Sequence, residues 1–127
     1  NNLNLIKKTL KKETNLKINT TIPYKKFFKR IIKIKHELNE LIRNIKKNKK
    51  IVHIYGASTK GNTIIQWQGI NDKIIKFAAD RNPQKWGAKT IGSNIKIISE
   101  EKSKKMSPDY YLVLPWHFKK EFLKRCH

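Results

Sequence analysis

The chain has 127 residues, 38% of them hydrophobic, and a formal net charge of +21. This length suits one domain with a real hydrophobic core. No apolar run approaches the roughly 18 residues that cross a membrane, and no signal peptide precedes the first amphipathic segment. The single cysteine, Cys126, has no internal partner for a disulfide, which suits a reducing compartment. We therefore expect a cytoplasmic protein that is not embedded in a membrane.

The charge invites a nucleic-acid interpretation, but the kind of basic residue argues against it. Only four of the 30 basic residues are arginine, the residue that best recognises phosphates and base edges in bidentate fashion. The chain is also rich in Ile and Asn, and Lys, Ile and Asn together are typical of an AT-rich coding sequence. We favour a compositional origin of the charge, and a polyanion-binding module stays as the alternative.

The first 48 residues read as a helical segment. Leu3, Ile6 and Leu10 alternate with lysines and predict a short amphipathic helix. A longer helix is predicted over 23–47, because apolar residues recur in steps of three and four. We expect residues 1–48 to pack on the domain that follows.

From residue 49 onward, strand and helix patterns alternate. Gly69 is expected to end the first helix of this part and Ser99 to cap the second. This alternation predicts an α/β fold. We expect a Rossmann-like open parallel sheet of about four strands with flanking helices, formed by residues 49–127 and preceded by one or two N-terminal helices. The strands are predicted at 51–55, 74–79, 95–98 and 110–114, and the helices at 61–68, 100–105 and 115–125.

The stretch Gly56–Asn62 follows the first predicted strand and opens a helix. Ligands of open parallel sheets bind beyond the carboxyl ends of the strands. Three segments are expected to meet there: Gly56–Asn62, Asp80–Pro83 and Pro115–His117. The loop offers backbone N–H groups and the Lys60 ammonium to an anion.

Known phosphate and catalytic motifs fit this loop only in part. In the dinucleotide fingerprint Ser58 replaces the middle glycine, although Asp80 stands where a ribose-binding acid belongs. In a P-loop Lys60 is two positions early, and in a nucleophile elbow it replaces a required glycine. No spacing of histidines and Cys126 indicates a metal site, so none is expected. A Rossmann-like dinucleotide-binding domain stays open as a second alternative.

Three separate motifs occur together in one order: Tyr55-Gly56-Ala57-Ser58-Thr59-Lys60-Gly61-Asn62-Thr63, Asp80-Arg81-Asn82-Pro83, and Pro108-Asp109-Tyr110-Tyr111-Leu112-Val113-Leu114-Pro115-Trp116-His117-Phe118. With these motifs the chain resembles the C-terminal domain of S-adenosylmethionine-dependent C-methyltransferases that act on nucleotide-linked deoxysugars. The resemblance is strong over about residues 50–123.

The resemblance implies a division of labour. An upstream methyltransferase domain of the same chain would bind S-adenosylmethionine, and this domain would help to enclose a nucleotide-linked sugar. The chain carries no zinc-binding cysteine cluster and no acidic-Gly-x-Gly loop for the methyl donor. We therefore expect a fragment of a longer protein that binds no cofactor itself and does not transfer methyl groups alone.

The implied substrate-binding residues all lie at the carboxyl edge of the predicted sheet. Asp80 has a second interpretation as a cap of its local turn, Arg81 as its ion-pair partner, and Trp116 as a core residue. No catalytic residue is assigned. The substrate-binding candidates are Gly56, Ala57, Ser58, Thr59, Lys60, Gly61, Asn62, Asp80, Arg81, Asn82, Trp116 and His117.

Overall fold

The computed structural model of the chain describes residues 2–114 and 119–126. The chain divides into two units, Asn1–Glu40 and Leu41–His127. None of the described helices is both long enough and apolar enough to span a membrane.

The first unit consists of helices. Helix α1 spans Asn2–Asn15, and helix α2 spans Ile22–Lys47 and continues into the second unit. The predicted N-terminal helices are thus confirmed. Many of their apolar residues are exposed, among them Leu3 at 69% and Phe27 and Phe28 at 55% and 56%. No described residue of 2–40 is buried, so this unit has no core of its own.

The second unit is built on a four-stranded, all-parallel sheet. Its strands are β1 (Val52–Tyr55), β2 (Phe77–Asp80), β3 (Lys96–Ser99) and β4 (Tyr110–Val113), in the order β3-β2-β1-β4. Helices α3 (Thr59–Gln68), α4 (Glu100–Lys105) and α5 (Lys119–Cys126) accompany them, with a short 3₁₀ helix at Pro83–Lys85. The predicted α/β class and parallel sheet are confirmed.

Short-range chemistry sets several of the helix ends. Ser99 caps α4, since its side chain accepts a hydrogen bond from the backbone N–H of Lys102. Gly69 ends α3 in the left-handed conformation, with φ of 71°, which glycine adopts without steric cost. Both ends were predicted. The second strand starts three residues later than predicted, because the carbonyl of Asn71 accepts the N–H groups of Ile74 and Ile75 and holds them in a turn.

The two faces of the sheet differ in chemistry. Ile54 is fully buried, and its register partner Ala78 pairs in turn with Ile97, so these three share one apolar face. Ile65 of α3 and Ile97 border the same cleft, which places α3 on that face.

The opposite face carries a buried polar chain. The Nδ1 of His53 lies 2.7 Å from the Ser103 hydroxyl of α4, which is 2.8 Å from the Tyr111 hydroxyl. Tyr55 donates a hydrogen bond to the carboxylate of Glu100. Strand β1 is therefore tied to α4 by polar side chains rather than by apolar packing alone.

Candidate functional site

The loop between β1 and α3 lies where the strand order reverses. Strand β1 pairs with β2 on one side and with β4 on the other. After β1 the chain adds β2 and β3 on one side of the sheet and then crosses to add β4 on the other side. In open α/β sheets such a switch point opens a crevice at the carboxyl ends of the strands. Gly56 makes the turn with φ of 87°, a conformation that favours glycine, and its N–H donates to the carbonyl of Ala79 at 2.8 Å.

Ser58 is the N-cap of α3. Its backbone is extended, and its hydroxyl accepts the N–H of Gly61 at 3.0 Å, while its carbonyl accepts the N–H of Asn62 at 2.8 Å. The helix therefore begins at Thr59, two residues earlier than predicted. The N–H groups of Thr59 and Lys60 belong to the first turn, where helix geometry supplies no acceptor. Both residues are exposed, so the predicted anion-binding groups are accessible.

Gly61 is needed for close packing rather than for an unusual backbone angle. A Cβ built at this position would lie 3.0 Å from Cβ and Cδ1 of Leu114 and 3.0 Å from the Ser58 hydroxyl oxygen. The start of α3 thus packs directly against Leu114, the residue after β4. This contact joins the two strands, β1 and β4, on either side of the switch point.

Gly61→Ala is expected to destabilise the protein, against the usual preference for alanine in helices. The added methyl group meets three atoms at once, one of them a Cβ that moves only with its backbone, so we expect a loss of about 1–2 kcal/mol in the free energy of unfolding. Denaturant unfolding followed by tryptophan fluorescence measures it. Thr63→Ala, an exposed change on the same helix, is the control, and a Gly61→Ala variant more stable than the wild type would contradict the packing argument.

Asp80 is the centre of a hydrogen-bond network at the candidate site. Its Oδ2 accepts the N–H of Ala57 at 3.0 Å and the ammonium of Lys85 at 3.1 Å, and its Oδ1 accepts the N–H of Asn82 at 2.9 Å. Its side chain is 11% exposed. Asp80 thus joins the Gly56–Asn62 loop to the turn after β2. Its bond to Asn82 is the turn cap that the second interpretation of Asp80 predicted.

Two partners in this network differ from the sequence interpretation. Arg81 does not pair with Asp80, since its Nε lies 4.0 Å from the carboxylate of Glu100. Lys85 is the partner that sequence reasoning missed, and its Nζ also donates to the carbonyl of Ala57 at 3.0 Å. The available signal was Asn82-Pro83: Asn82 caps the 3₁₀ helix by accepting the N–H of Gln84, and that helix returns Lys85 to Asp80.

A cleft of about 200 Å³ lies beside the loop, on the α3 face of the sheet. Ala57, Ser58, Thr59 and Asn62 form one side, and residues 89–91 lie opposite. The side-chain oxygen of Asn62 is buried and has no hydrogen-bond partner among the described residues. Asn62 therefore brings a buried, unused acceptor to the lining of this cleft.

The third predicted segment, Pro115–His117, lies outside the described residues. The predicted contact of Trp116 and His117 with the ligand therefore stays a prediction. Among residues 2–114 and 119–126, no three His, Cys, Asp or Glu side chains come together in a group that could hold a metal ion.

Comparison with known proteins identifies the family. Residues 2–127 match the family described as C-methyltransferase C-terminal domain. The chain belongs to this family. The curated C-methyltransferase NovU of Streptomyces niveus is 33% identical over 100 residues, which cover 79% of this chain and 24% of that protein. The chain thus spans only about a quarter of the length of that relative.

Membership of the C-methyltransferase C-terminal domain family confirms the resemblance seen in the sequence. The match includes the Gly56–Asn62 loop, the Asp80 turn and the segment around Trp116. In this domain the first two are joined by the Asp80 carboxylate. They therefore form one structural unit at the carboxyl edge of the sheet.

Proposed function

We propose that this domain holds a nucleotide-linked sugar for a methyltransferase domain of the same parent chain, in a protein that takes its methyl group from S-adenosylmethionine. Family membership supports the methyltransferase part of the proposal. The substrate class is our inference from the chemistry of the loop at the switch point.

The observation that carries the proposal is the start of α3. The Ser58 hydroxyl accepts the N–H of Gly61, so this donor already has a partner within the protein. The N–H groups of Thr59 and Lys60 are left for an acceptor from outside. Together with the exposed Lys60 ammonium, they suit the oxygens of a diphosphate. The buried Asn62 oxygen beside them suits a hydroxyl or amide donor. A nucleotide-linked sugar offers both kinds of group.

The same geometry argues against a dinucleotide or the methyl donor at this loop. Both carry a ribose, which Rossmann-type sites recognise with a free acid at the end of the second strand. Here that acid is Asp80, and its carboxylate already accepts three hydrogen bonds, including one from Lys85. The residues present do not fit a ribose diol, so we place the methyl donor in another domain of a cytoplasmic parent protein. We expect the isolated chain to bind substrate weakly and to be inactive alone.

A titration with a thymidine-diphosphate deoxysugar tests the proposal. We expect amide shifts concentrated at residues 56–62, and Lys60→Gln is expected to weaken binding about threefold to tenfold, as befits one charge-assisted contact. Lys11→Gln, an exposed lysine on α1, is the matched control.

Three results would count against this function. Amide shifts that avoid residues 56–62, even with the catalytic domain present, would remove the loop from the substrate site. Equal weakening by Lys11→Gln would indicate attraction to a basic protein in general, the polyanion alternative. Methyl transfer by this chain alone would contradict the division of labour.

A further inference from the structure

A second concave surface lies at the opposite edge of the sheet, where β1 and β2 begin. It is a groove of about 520 Å³ within the second unit. This volume is in the range of small-molecule sites, roughly 300–1,000 Å³. Since β1 runs from Val52 to Tyr55, the groove and the Gly56–Asn62 loop are about 10 Å apart along the strand, at about 3.3 Å per residue.

Five lysines line the groove, and none of its lining residues is acidic. They come from the end of α2, from the connection to β1 and from the segment before β2, so the fold gathers them from separate parts of the chain. The five are Lys46, Lys49, Lys50, Lys73 and Lys76.

Two of these lysines are engaged in the structure. Lys50 pairs with Asp109 at 3.0 Å, and Lys46 donates to the carbonyl of Lys73 at 2.8 Å. No described carboxylate lies within ion-pair distance of Lys49, Lys73 or Lys76. These three ammonium groups therefore leave an uncompensated positive charge around one concavity.

Apolar side chains form much of the rest of the groove lining. Ile51 and Met106 are 51% and 40% exposed, and Phe77 is half-buried. Exposed apolar side chains around a concavity favour a ligand with an apolar body, while the lysines favour a negative charge. Neither feature alone selects a ligand, but together they select an amphipathic one.

We propose that this groove binds an amphipathic anion, a carboxylate or a phosphate monoester that carries an apolar chain. The headgroup lies among Lys49, Lys73 and Lys76, and the chain lies against Ile51, Phe77 and Met106. This site is independent of the proposed function, because it lies at the other edge of the sheet and shares no lining residue with the cleft beside Gly56–Asn62.

Decanoate and decyl phosphate, below their micelle concentrations, are the probes for the whole chain. We expect both, or one of them, to shift the amides of Ile51–His53 and Phe77, and the stronger ligand identifies the headgroup. Decanol and inorganic phosphate, which each lack one half of the chemistry, are expected to bind at least about tenfold more weakly. The double variant Lys73→Gln/Lys76→Gln is expected to weaken anion binding about tenfold or more, as two charge-assisted contacts imply.

The control variant is Lys11→Gln/Lys12→Gln, which removes the same charge from exposed positions on α1. Equal weakening in this control, or shifts spread over α1 and α2, would overturn the proposal in favour of general attraction to a basic protein. Decanol bound as tightly as decanoate would overturn the role of the lysines. The absence of shifts at Ile51–His53 and Phe77 with all probes would overturn the site itself. An amide spectrum of each variant shows that its fold is retained.

Discussion

Asp80→Ala is expected to lower the free energy of unfolding by about 2–4 kcal/mol, the largest effect of a single substitution at the candidate site. The change leaves the N–H groups of Ala57 and Asn82 and the Lys85 ammonium without their acceptor. Each unsatisfied donor near the interior costs on the order of 1–3 kcal/mol. The total is reduced here because Asn82 is exposed and Lys85 is 40% exposed, so both donors reach water. Denaturant unfolding followed by tryptophan fluorescence measures the loss.

The geometry of the network provides two comparisons. Asp80→Asn keeps one oxygen but must turn an NH₂ group toward a donor. Its free energy of unfolding is therefore expected to lie between those of the wild type and Asp80→Ala. Asp72→Ala removes an exposed carboxylate near the start of the turn before β2 and is expected to change stability by less than about 0.5 kcal/mol. If Asp80→Ala were no more damaging than Asp72→Ala, the carboxylate would not hold the loop.

Loss of the Asp80 carboxylate is also expected to loosen the substrate loop. Without it, Ala57 is no longer tied to the turn after β2, and the amides of residues 56–58 are expected to exchange with solvent faster than those of β1. Hydrogen exchange at these amides separates this local effect from global unfolding.

Acidification is expected to destabilise the fold through His53. Burial lowers the pKa of His53 from its ordinary value of 6.5, because the charged imidazolium loses hydration. The unfolded chain therefore binds a proton at a pH where the folded chain does not. The contribution of His53 to stability is fully present above about pH 6.5 and is lost as the pH falls, by up to about 1.4 kcal/mol per pH unit until the folded-state pKa is reached.

The contribution of this histidine is isolated by difference. His53→Asn removes the titrating ring, so its stability is expected to fall less steeply than that of the wild type between about pH 6.5 and 5. The variant is less stable at all pH values, since the bond to Ser103 is altered, and only the slope is compared. His36→Asn, at an exposed position on α2, is the matched control, and identical slopes for the wild type and His53→Asn would exclude the effect.

The exposed apolar residues of α1 and α2 show that a sequence pattern can predict a helix without predicting what its apolar face contacts. Periodicity predicted both helices because the spacing of apolar residues is a local property. The same stripe predicted packing of residues 1–48 on the sheet, yet a stripe specifies only that a helix has an apolar face and not which surface covers it. The predicted packing stays a prediction, and residues such as Leu3, Phe27 and Phe28 are exposed in their own unit.

Sequence alone determined the parallel α/β architecture, the cap at Ser99, the stop at Gly69 and the loop at Gly56–Asn62. These features depend on residues within a few positions of one another, and cap, turn and period rules operate over that distance. Their order also carried the family resemblance. The sequence could not show that Ser58 uses its hydroxyl on Gly61, because a cap and a ligand contact need the same residue type.

Only the tertiary structure decided which partners the polar side chains take. Asp80 meets Ala57 from 23 positions away, and His53 meets Ser103 from 50. The groove likewise assembles lysines from three segments. Such contacts depend on strand order and register, which place distant residues side by side, and a carboxylate or a lysine carries no local mark of its partner. The sequence therefore predicts the fold and the position of the Gly56–Asn62 loop. Which hydrogen-bonding groups of that loop remain unpaired is decided by the tertiary packing around it.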